Sequence, residues 1–260
     1  MSTVILTTKK NIAIITLNIP KQLNAMSDQM AQEFKIIISK IKKDKKMRVV
    51  IITGAGKAFS SGGNIKMLSA KTKTSKAQNN IALNKFYQIF LSIQDLPQPV
   101  IAAINGVTVG GGLCLALACD LKYASTQAKF YFNFAKMGLA PGMGTTQFLL
   151  RSVGSALTAE ILFRAKSLDA KTALKQGLIN GIYSSKSLMT NCLKIAEEIA
   201  LLAPLTLTDI KRGIAKSQDK QFKDILKWDA QRQANSFATQ DLKEGFQSLL
   251  ENRKAIFTGK

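Results

Sequence analysis

The chain has 260 residues, 46% hydrophobic and 20% charged, with a formal net charge of +21. That length and balance fit one large domain with a sizeable core, and they exclude a disordered chain. Histidine is absent, which excludes histidine bases, histidine-containing triads and histidine-ligated metals.

The β-rich runs Val4–Thr7 and Ile12–Leu17, joined by Lys9-Lys10-Asn11, predict a hairpin. Ser27 predicts the N-cap of a helix with Met30, Phe34, Ile37 or Ile38, and Ile41 on one face. Arg48–Thr53 is a short β-branched run stopped by Gly54-Ala55-Gly56, so a buried strand is predicted. A Ser/Gly turn at Ser60–Gly63 and a polar stretch, Ala70–Asn80, follow; the latter predicts a mobile loop. A helix then leads into Leu96-Pro97-Gln98-Pro99. Val100–Ile104 is strand-like, Gly110-Gly111-Gly112 opens an apolar helix through Cys119, and Leu121–Ser125 predicts a further strand. Beyond Pro141-Gly142-Met143-Gly144 the pattern turns helical, at Thr145–Val153, Ser155–Phe163, Asp169–Gln176, Ser187–Ala200 and two or three later segments. An α/β core over residues 1–200 and a helical C-terminal region over 201–260 are expected.

Cys114, Cys119 and Cys192 cannot all pair, lack metal-ligand spacing and lie in apolar segments, so buried reduced thiols are expected and no metal site is. No apolar run approaches the roughly 20 residues of a membrane span. The first residues lack a signal peptide's basic start and cleavage site, so a cytoplasmic protein is expected. The lysines are dispersed apart from Lys40–Lys46, which reads as a solvated helix end, so specific nucleic-acid binding is not expected. A polyanionic small ligand such as coenzyme A, or an acidic carrier protein, would use the same field.

Two glycine turns carry the chemistry: Phe59-Ser60-Ser61-Gly62-Gly63-Asn64-Ile65-Lys66, and the run from Asn105-Gly106 through Gly110-Gly111-Gly112 to Asp120. Each follows a predicted strand. Glycine lets a ligand approach the main chain, and free N–H groups at such a turn can be aimed at one oxyanion. From spacing alone this reading stands level with a packing role for the glycines.

In order, Asn24-Ala25, Phe59–Ile65, Pro99–Gly106, Gly110–Gly112, Ala116–Asp120, Gly138–Gly142, Gly177–Asn180 and Asn252–Lys260 resemble the enoyl-CoA hydratase/isomerase (crotonase) superfamily over nearly the whole chain. The resemblance implies a ClpP-like spiral of β-β-α units with a helical C-terminal trimerisation region, assembled as a homotrimer or hexamer. It implies an oxyanion hole at the Ser61 and Gly111 N–H groups. The thioester groove would follow Lys21–Ala25 and Ser61–Ile65, including Gly62, Gly63 and Asn64, with tail contacts from Phe257 and Lys260. Coenzyme A or phosphopantetheine would be present as part of the substrate, with no separate cofactor. Asn64 stands where the family usually has aspartate.

The two positions that carry glutamates in hydratases hold Cys114 and Phe134, both expected to line the substrate site, and Pro141 is followed by Gly142 where many isomerases have a glutamate. Hydration needs a base and an acid, so standard hydratase activity is not expected. Asn133–Thr146 resembles a decarboxylase subgroup of polyketide β-branching cassettes, and loss of CO2 needs an electron sink at the thioester oxygen rather than a base. The expected activity is therefore that of a lyase decarboxylating a glutaconyl-type thioester. Lys66, Lys71 and Lys73 are available near the first turn, with Tyr87 and Tyr131 as further proton donors. An acidic acyl carrier protein would suit the positive charge by steering. The alternatives are isomerase- or hydratase-like activity, or thioester binding without catalysis.

Overall fold

In the computed structural model, which describes residues 2–70, 74–217 and 240–260, β1 (Val4–Lys9) and β2 (Ile12–Leu17) pair antiparallel as the expected hairpin. Ser27 caps α1 (Asp28–Lys43) by accepting from the Met30 N–H, and Met30, Ala31, Phe34, Ile38 and Ile41 form its buried stripe. Lys40, Lys42 and Lys43 lie in its last turn, where cations complement the helix dipole.

β3 (Val49–Gly54) and β5 (Val100–Ile104) are buried at every residue, as strands covered on both faces must be. They sit at the centre of a six-stranded sheet of order β1-β2-β3-β5-β7-β10, parallel from β2 onward, with β7 at Leu121–Ser125 and β10 at Gly181–Tyr183. A second sheet, of order β4-β6-β8-β9, is built from three-residue strands: Ala58–Ser60, Val107–Val109, Lys129–Tyr131 and Ser167–Asp169. Thus β3 and β4, β5 and β6, and β7 and β8 each give one strand to the large sheet and the next to the small one. Helices α2 (Ile65–Ala70) and α4 (Gly110–Leu117) follow the first two pairs. This is the expected α/β spiral of β-β-α units.

The two faces of the large sheet bury separate clusters. Val50, Ile52 and Ala102 pack with Phe34 of α1 and Phe90 of α3 (Lys76–Leu91). Ile51, Ile101 and Ala103 pack with Leu188, Cys192 and Ala196 of α7 (Leu188–Ala200). The period-2 alternation along β3 and β5 decides which residue faces which helix layer.

The polar stretch over 70–80 is not all loop. Ser75 and Gln78 form a reciprocal capping box that starts α3 at Lys76, a pattern that outweighs the polar composition around it. The two helices expected over 145–163 join as α5 (Thr145–Phe163), bent at Gly154, whose φ is 77°. After α6 (Ala170–Lys175), capped by Asp169, and α7, the C-terminal region holds α8 (Pro204–Ser217) and α9 (Gln240–Leu250). Lys211 of α8 reaches back 2.8 Å to Asp120 beyond α4. No helix among the described residues is long and apolar enough to cross a membrane.

Candidate active site

The loop after β4 is set by two buried or half-buried asparagines. Asn24, at φ 54°, accepts from the Ile19 N–H through Oδ1 and donates through Nδ2 to the carbonyls of Ala55 and Ala58. Asn105, after β5, accepts from the Gly54 N–H and donates to the carbonyls of Gly56 and Ala58. The β3–β4 connection is therefore held from both sides, and β4 leaves it toward Ser60. There the Ser60 hydroxyl donates to the Asn24 carbonyl and accepts from the Gly62 N–H.

Each neighbouring amide has a fixed partner. The Ser61 N–H donates to the Leu23 carbonyl at 2.8 Å, the Met26 N–H to Gly62, and the Asn64 N–H back to Met26. Gly63 alone in this stretch keeps an N–H with no acceptor among the described residues. Gly111, in the first turn of α4, has the second such N–H, because the first turn of a helix leaves its donors unpaired. The two glycines are neighbours: a methyl placed on Gly111 would lie 3.9 Å from the Gly63 nitrogen, and one placed on Gly62 would lie 3.1 Å from the Gly111 nitrogen. Gly62 itself has φ 80°, and a Cβ there would strike the Val109 carbonyl at 2.5 Å, so only glycine turns the chain at that point.

The amide pair is thus Gly63 and Gly111. The expectation of Ser61 as a donor is corrected, because its N–H is spent on Leu23. The pair sits at the positive end of the short, apolar, buried helix α4, a geometry suited to the oxygen of a thioester enolate. The sulfur atoms of Met26 and Met143 line it, at 3.1 and 3.8 Å from the point a methyl on Gly111 would occupy. The signal for Gly63 was available in the sequence only as the second glycine of Gly62-Gly63. Which amide is free is decided by strand pairing with Met26.

Lys21–Ala25 does lie against the loop, as expected. The Ser61 hydroxyl donates to the Gln22 carbonyl, the Asn64 amide reaches the Gln22 side chain at 3.5 Å, and Lys21 is exposed while Ala25 is buried. Asn64 Oδ1 accepts from the Met67 N–H, capping α2 as an aspartate would. Ile65 and Lys66 begin α2, whereas Lys71 and Lys73 lie outside the described residues. Phe257 and Lys260 do not join the site within this chain. The Phe257 carbonyl accepts from Arg48, at the far end of β3 from Gly54, and the Lys260 carbonyl accepts from the Gln240 and Asp241 N–H groups at the start of α9.

One helical turn beyond Gly111, Cys114 is buried, with its sulfur 2.7 Å from the Thr145 hydroxyl, which donates in turn to the Gly142 carbonyl at 2.6 Å. Burial pushes the Cys114 thiol up to about 12, against a partial pull downward from Thr145, so it is a neutral thiol at physiological pH. Half-buried Tyr87 of α3 stands beside this group. Burial, and then the nearness of Cys114, pushes its phenol above the ordinary range. Phe134 is buried, and its carbonyl accepts from the Met137 and Leu139 N–H groups. A cavity of about 570 Å³ lies elsewhere, at the other end of α4, lined by Asp120, Lys122, Arg151, Lys211 and Arg212; Lys122 and Lys211 there hold the carbonyls of Cys119 and Gln98.

The family model described as "Enoyl-CoA hydratase/isomerase" matches residues 7–260. The chain is 32% identical over 255 residues to the short-chain-enoyl-CoA hydratase of Clostridium acetobutylicum, covering 98% of this chain and 97% of that one. It is 32% identical over 258 residues to the crotonyl-CoA hydratase of Syntrophomonas wolfei, covering 99% and 98%. A crystal structure of enoyl-CoA hydratase from Bacillus anthracis superposes with a TM-score of 0.94 at 30% identity, covering 99% and 100%. These relatives overturn the expectation of a decarboxylase in which hydratase activity is excluded: all three are named for hydration. The substitutions at Cys114 and Phe134 do not by themselves select another reaction. With the fold, the paired amides and full-length similarity in agreement, the chain belongs to the enoyl-CoA hydratase/isomerase family.

Proposed function

We propose that the protein is an acyl-CoA enzyme that adds water to an α,β-enoyl thioester, with the thioester oxygen held between the Gly63 and Gly111 N–H groups. The nearness of those two uncommitted amides is the observation that carries the reading, and the hydratase names of the full-length relatives support it. Withdrawing electrons toward the oxygen makes the β-carbon electrophilic, and the enolate formed when water adds there is stabilised where its charge develops. Cys114 and Phe134 supply no carboxylate, so proton transfer falls to weaker acids. Turnover is then expected some 10²-fold or more below that of a site with paired carboxylates. Reprotonation of the same type of enolate at another carbon would be double-bond isomerisation, which the family description also covers.

The net charge of +21 favours a phosphate-bearing carrier. Coenzyme A is the first choice, and an acidic acyl carrier protein would use the same field. Leu201, Leu202, Leu205, Ile210 and Ile214 leave apolar surface exposed around α8, which supports assembly of copies through the C-terminal region, as a trimer or a pair of trimers.

The test is incubation with crotonyl-CoA and longer trans-2-enoyl-CoA thioesters, following loss of the conjugated absorbance and identifying products by mass spectrometry. A 3-hydroxyacyl product supports the proposal, and a shifted double bond supports isomerisation. Binding of acyl-CoA without any product refutes it. Gly111→Pro, which deletes one N–H, is expected to lower kcat by about 10²–10³-fold in a folded protein.

A further inference from the structure

We propose, resting on the enoyl-thioester reading above, that Tyr87 is a catalytic residue of this site: its phenol carries the proton to the substrate's α-carbon. The chemistry at the first helical turn of α4 is otherwise closed on itself. Thr145 donates to the Gly142 carbonyl and shares a hydrogen with Cys114, whose thiol also reaches that carbonyl at 3.5 Å. Tyr87 is different. Its hydroxyl has no hydrogen-bond partner among the described residues, so it is open to a ligand. Substrate or an attacking water would supply the partner.

The position fits. A methyl placed on Gly142 would lie 2.4 Å from the Tyr87 oxygen, so the absent side chain at 142 is what lets the phenol approach. The next residue, Met143, lines Gly111. Cys114, whose nearness helps to raise the Tyr87 phenol, follows Gly111 by three residues and shares its face of α4, about 5 Å along the axis. The Gly142–Met143 segment therefore meets the phenol at one residue and the amide that would hold the thioester oxygen at the next.

The step balances with this one group. Water oxygen bonds to the β-carbon, and the π electrons move to leave the enolate on the thioester oxygen between the two amides. The α-carbon then takes the Tyr87 proton, a C–H bond forming as the O–H bond breaks. The phenoxide takes the proton released by the added water, so tyrosine is restored and the substrate has gained H and OH. An enolate carbon is a stronger base than phenoxide, so delivery runs downhill. A phenol is protonated at neutral pH, and the upward shift from burial makes its conjugate base stronger.

Tyr87→Phe, compared with the full-length wild-type protein, tests this with three readouts: crotonyl-CoA hydration, the reverse dehydration of 3-hydroxybutyryl-CoA, and calorimetric binding of butyryl-CoA. The expected result is a loss of about 10²-fold or more in kcat for both hydration and dehydration, with Kd changed by less than about threefold. Gly142→Ala, which drives a methyl against the phenol, should move rates in the same direction with a melting temperature close to wild type. A Tyr87→Phe protein that keeps a third or so of wild-type kcat, or loses rate only in proportion to binding, overturns the assignment. A wild-type protein that binds butyryl-CoA but neither hydrates crotonyl-CoA nor dehydrates 3-hydroxybutyryl-CoA overturns the enoyl-thioester reading itself, and that outcome is visible before any variant is made.

Discussion

Ser60 and Gly112 touch so closely that a methyl group on Gly112 would lie 2.5 Å from the Ser60 β-carbon and 2.6 Å from its hydroxyl. This contact brings the end of β4 against the first turn of α4 and so sets the spacing between Gly63 and Gly111. Gly112→Ala is expected to push the two apart, costing about 1–3 kcal/mol of stability by overpacking. It should also lower kcat at least tenfold, because displacement of one donor removes much of its effect. Urea unfolding and steady-state rates on the same preparation check both; an unchanged kcat would show that the contact does not set the amide spacing.

Asn24 offers a test of the loop without touching the amides. Its side chain makes two hydrogen bonds to the β3–β4 connection and a third to the Ile19 N–H, and its φ of 54° is a conformation that asparagine tolerates better than alanine. Asn24→Ala is expected to cost about 3 kcal/mol, from lost hydrogen bonds and backbone strain together. Asn24→Gly should recover the strain component, roughly 1 kcal/mol. The difference between the two variants in urea unfolding separates the causes, and equal losses would assign the whole effect to the hydrogen bonds.

Much of this arrangement is legible in the sequence. The helix stripe of α1 and its Ser27 cap, the buried strands β3 and β5, and the two glycine turns follow from periodicity and residue type. The short strands β4, β6, β8 and β9 are harder, since three residues carry too little pattern and are held by pairing with distant segments. Confusion of Ser61 with Gly63 has the same origin. Both amides sit in one loop, and only the Leu23 and Met26 contacts, some 35–40 residues earlier in the chain, decide which one is free. The expected roles of Phe257 and Lys260 rest on sequence likeness alone, which does not say where a tail docks within a single chain. Decarboxylation is overturned by full-length relatives named for hydration: the paired amides suit the enolate of either reaction, so absent carboxylates alone do not choose between them.

The three buried thiols give a pH prediction with a definite sign. Burial pushes Cys114, Cys119 and Cys192 up to about 12 from an ordinary value of 9.0. In the unfolded chain they ionise first as pH rises past that ordinary value, so the folded state then holds more protons. Their contribution is complete below pH 9 and is lost as pH climbs toward 12, at no more than about 1.4 kcal/mol per pH unit for each thiol. Urea midpoints are expected to fall over that window. Cys119→Ala should flatten the slope, and an unchanged slope would show that the thiols are not responsible.

Asp120 joins the core to the C-terminal region. Its Oδ2 accepts from the Val100 N–H at 2.8 Å and from Lys211 at 2.8 Å, and Lys211 also donates to the Gln98 carbonyl. Asp120→Ala leaves a largely buried ammonium and a strand N–H without this partner, at an expected cost of about 2–3 kcal/mol. Lys211→Met should cost less, and the double variant should recover part of the loss. A double-mutant cycle with zero coupling would remove the pair from the account of how α8 is held.

The paired amides of Gly63 and Gly111 belong to the main chain, so replacing the side chains at 114 or 134 does not remove them. A lineage with this scaffold can therefore lose or exchange its acids and bases by ordinary point mutation while the capacity to hold a charged oxygen persists. Changes at positions such as 114 and 134 then act as variations in proton traffic over an inherited electrostatic trap. Such a protein is a ready starting point for selection: a single introduced carboxylate would meet a pair of main-chain donors already in place.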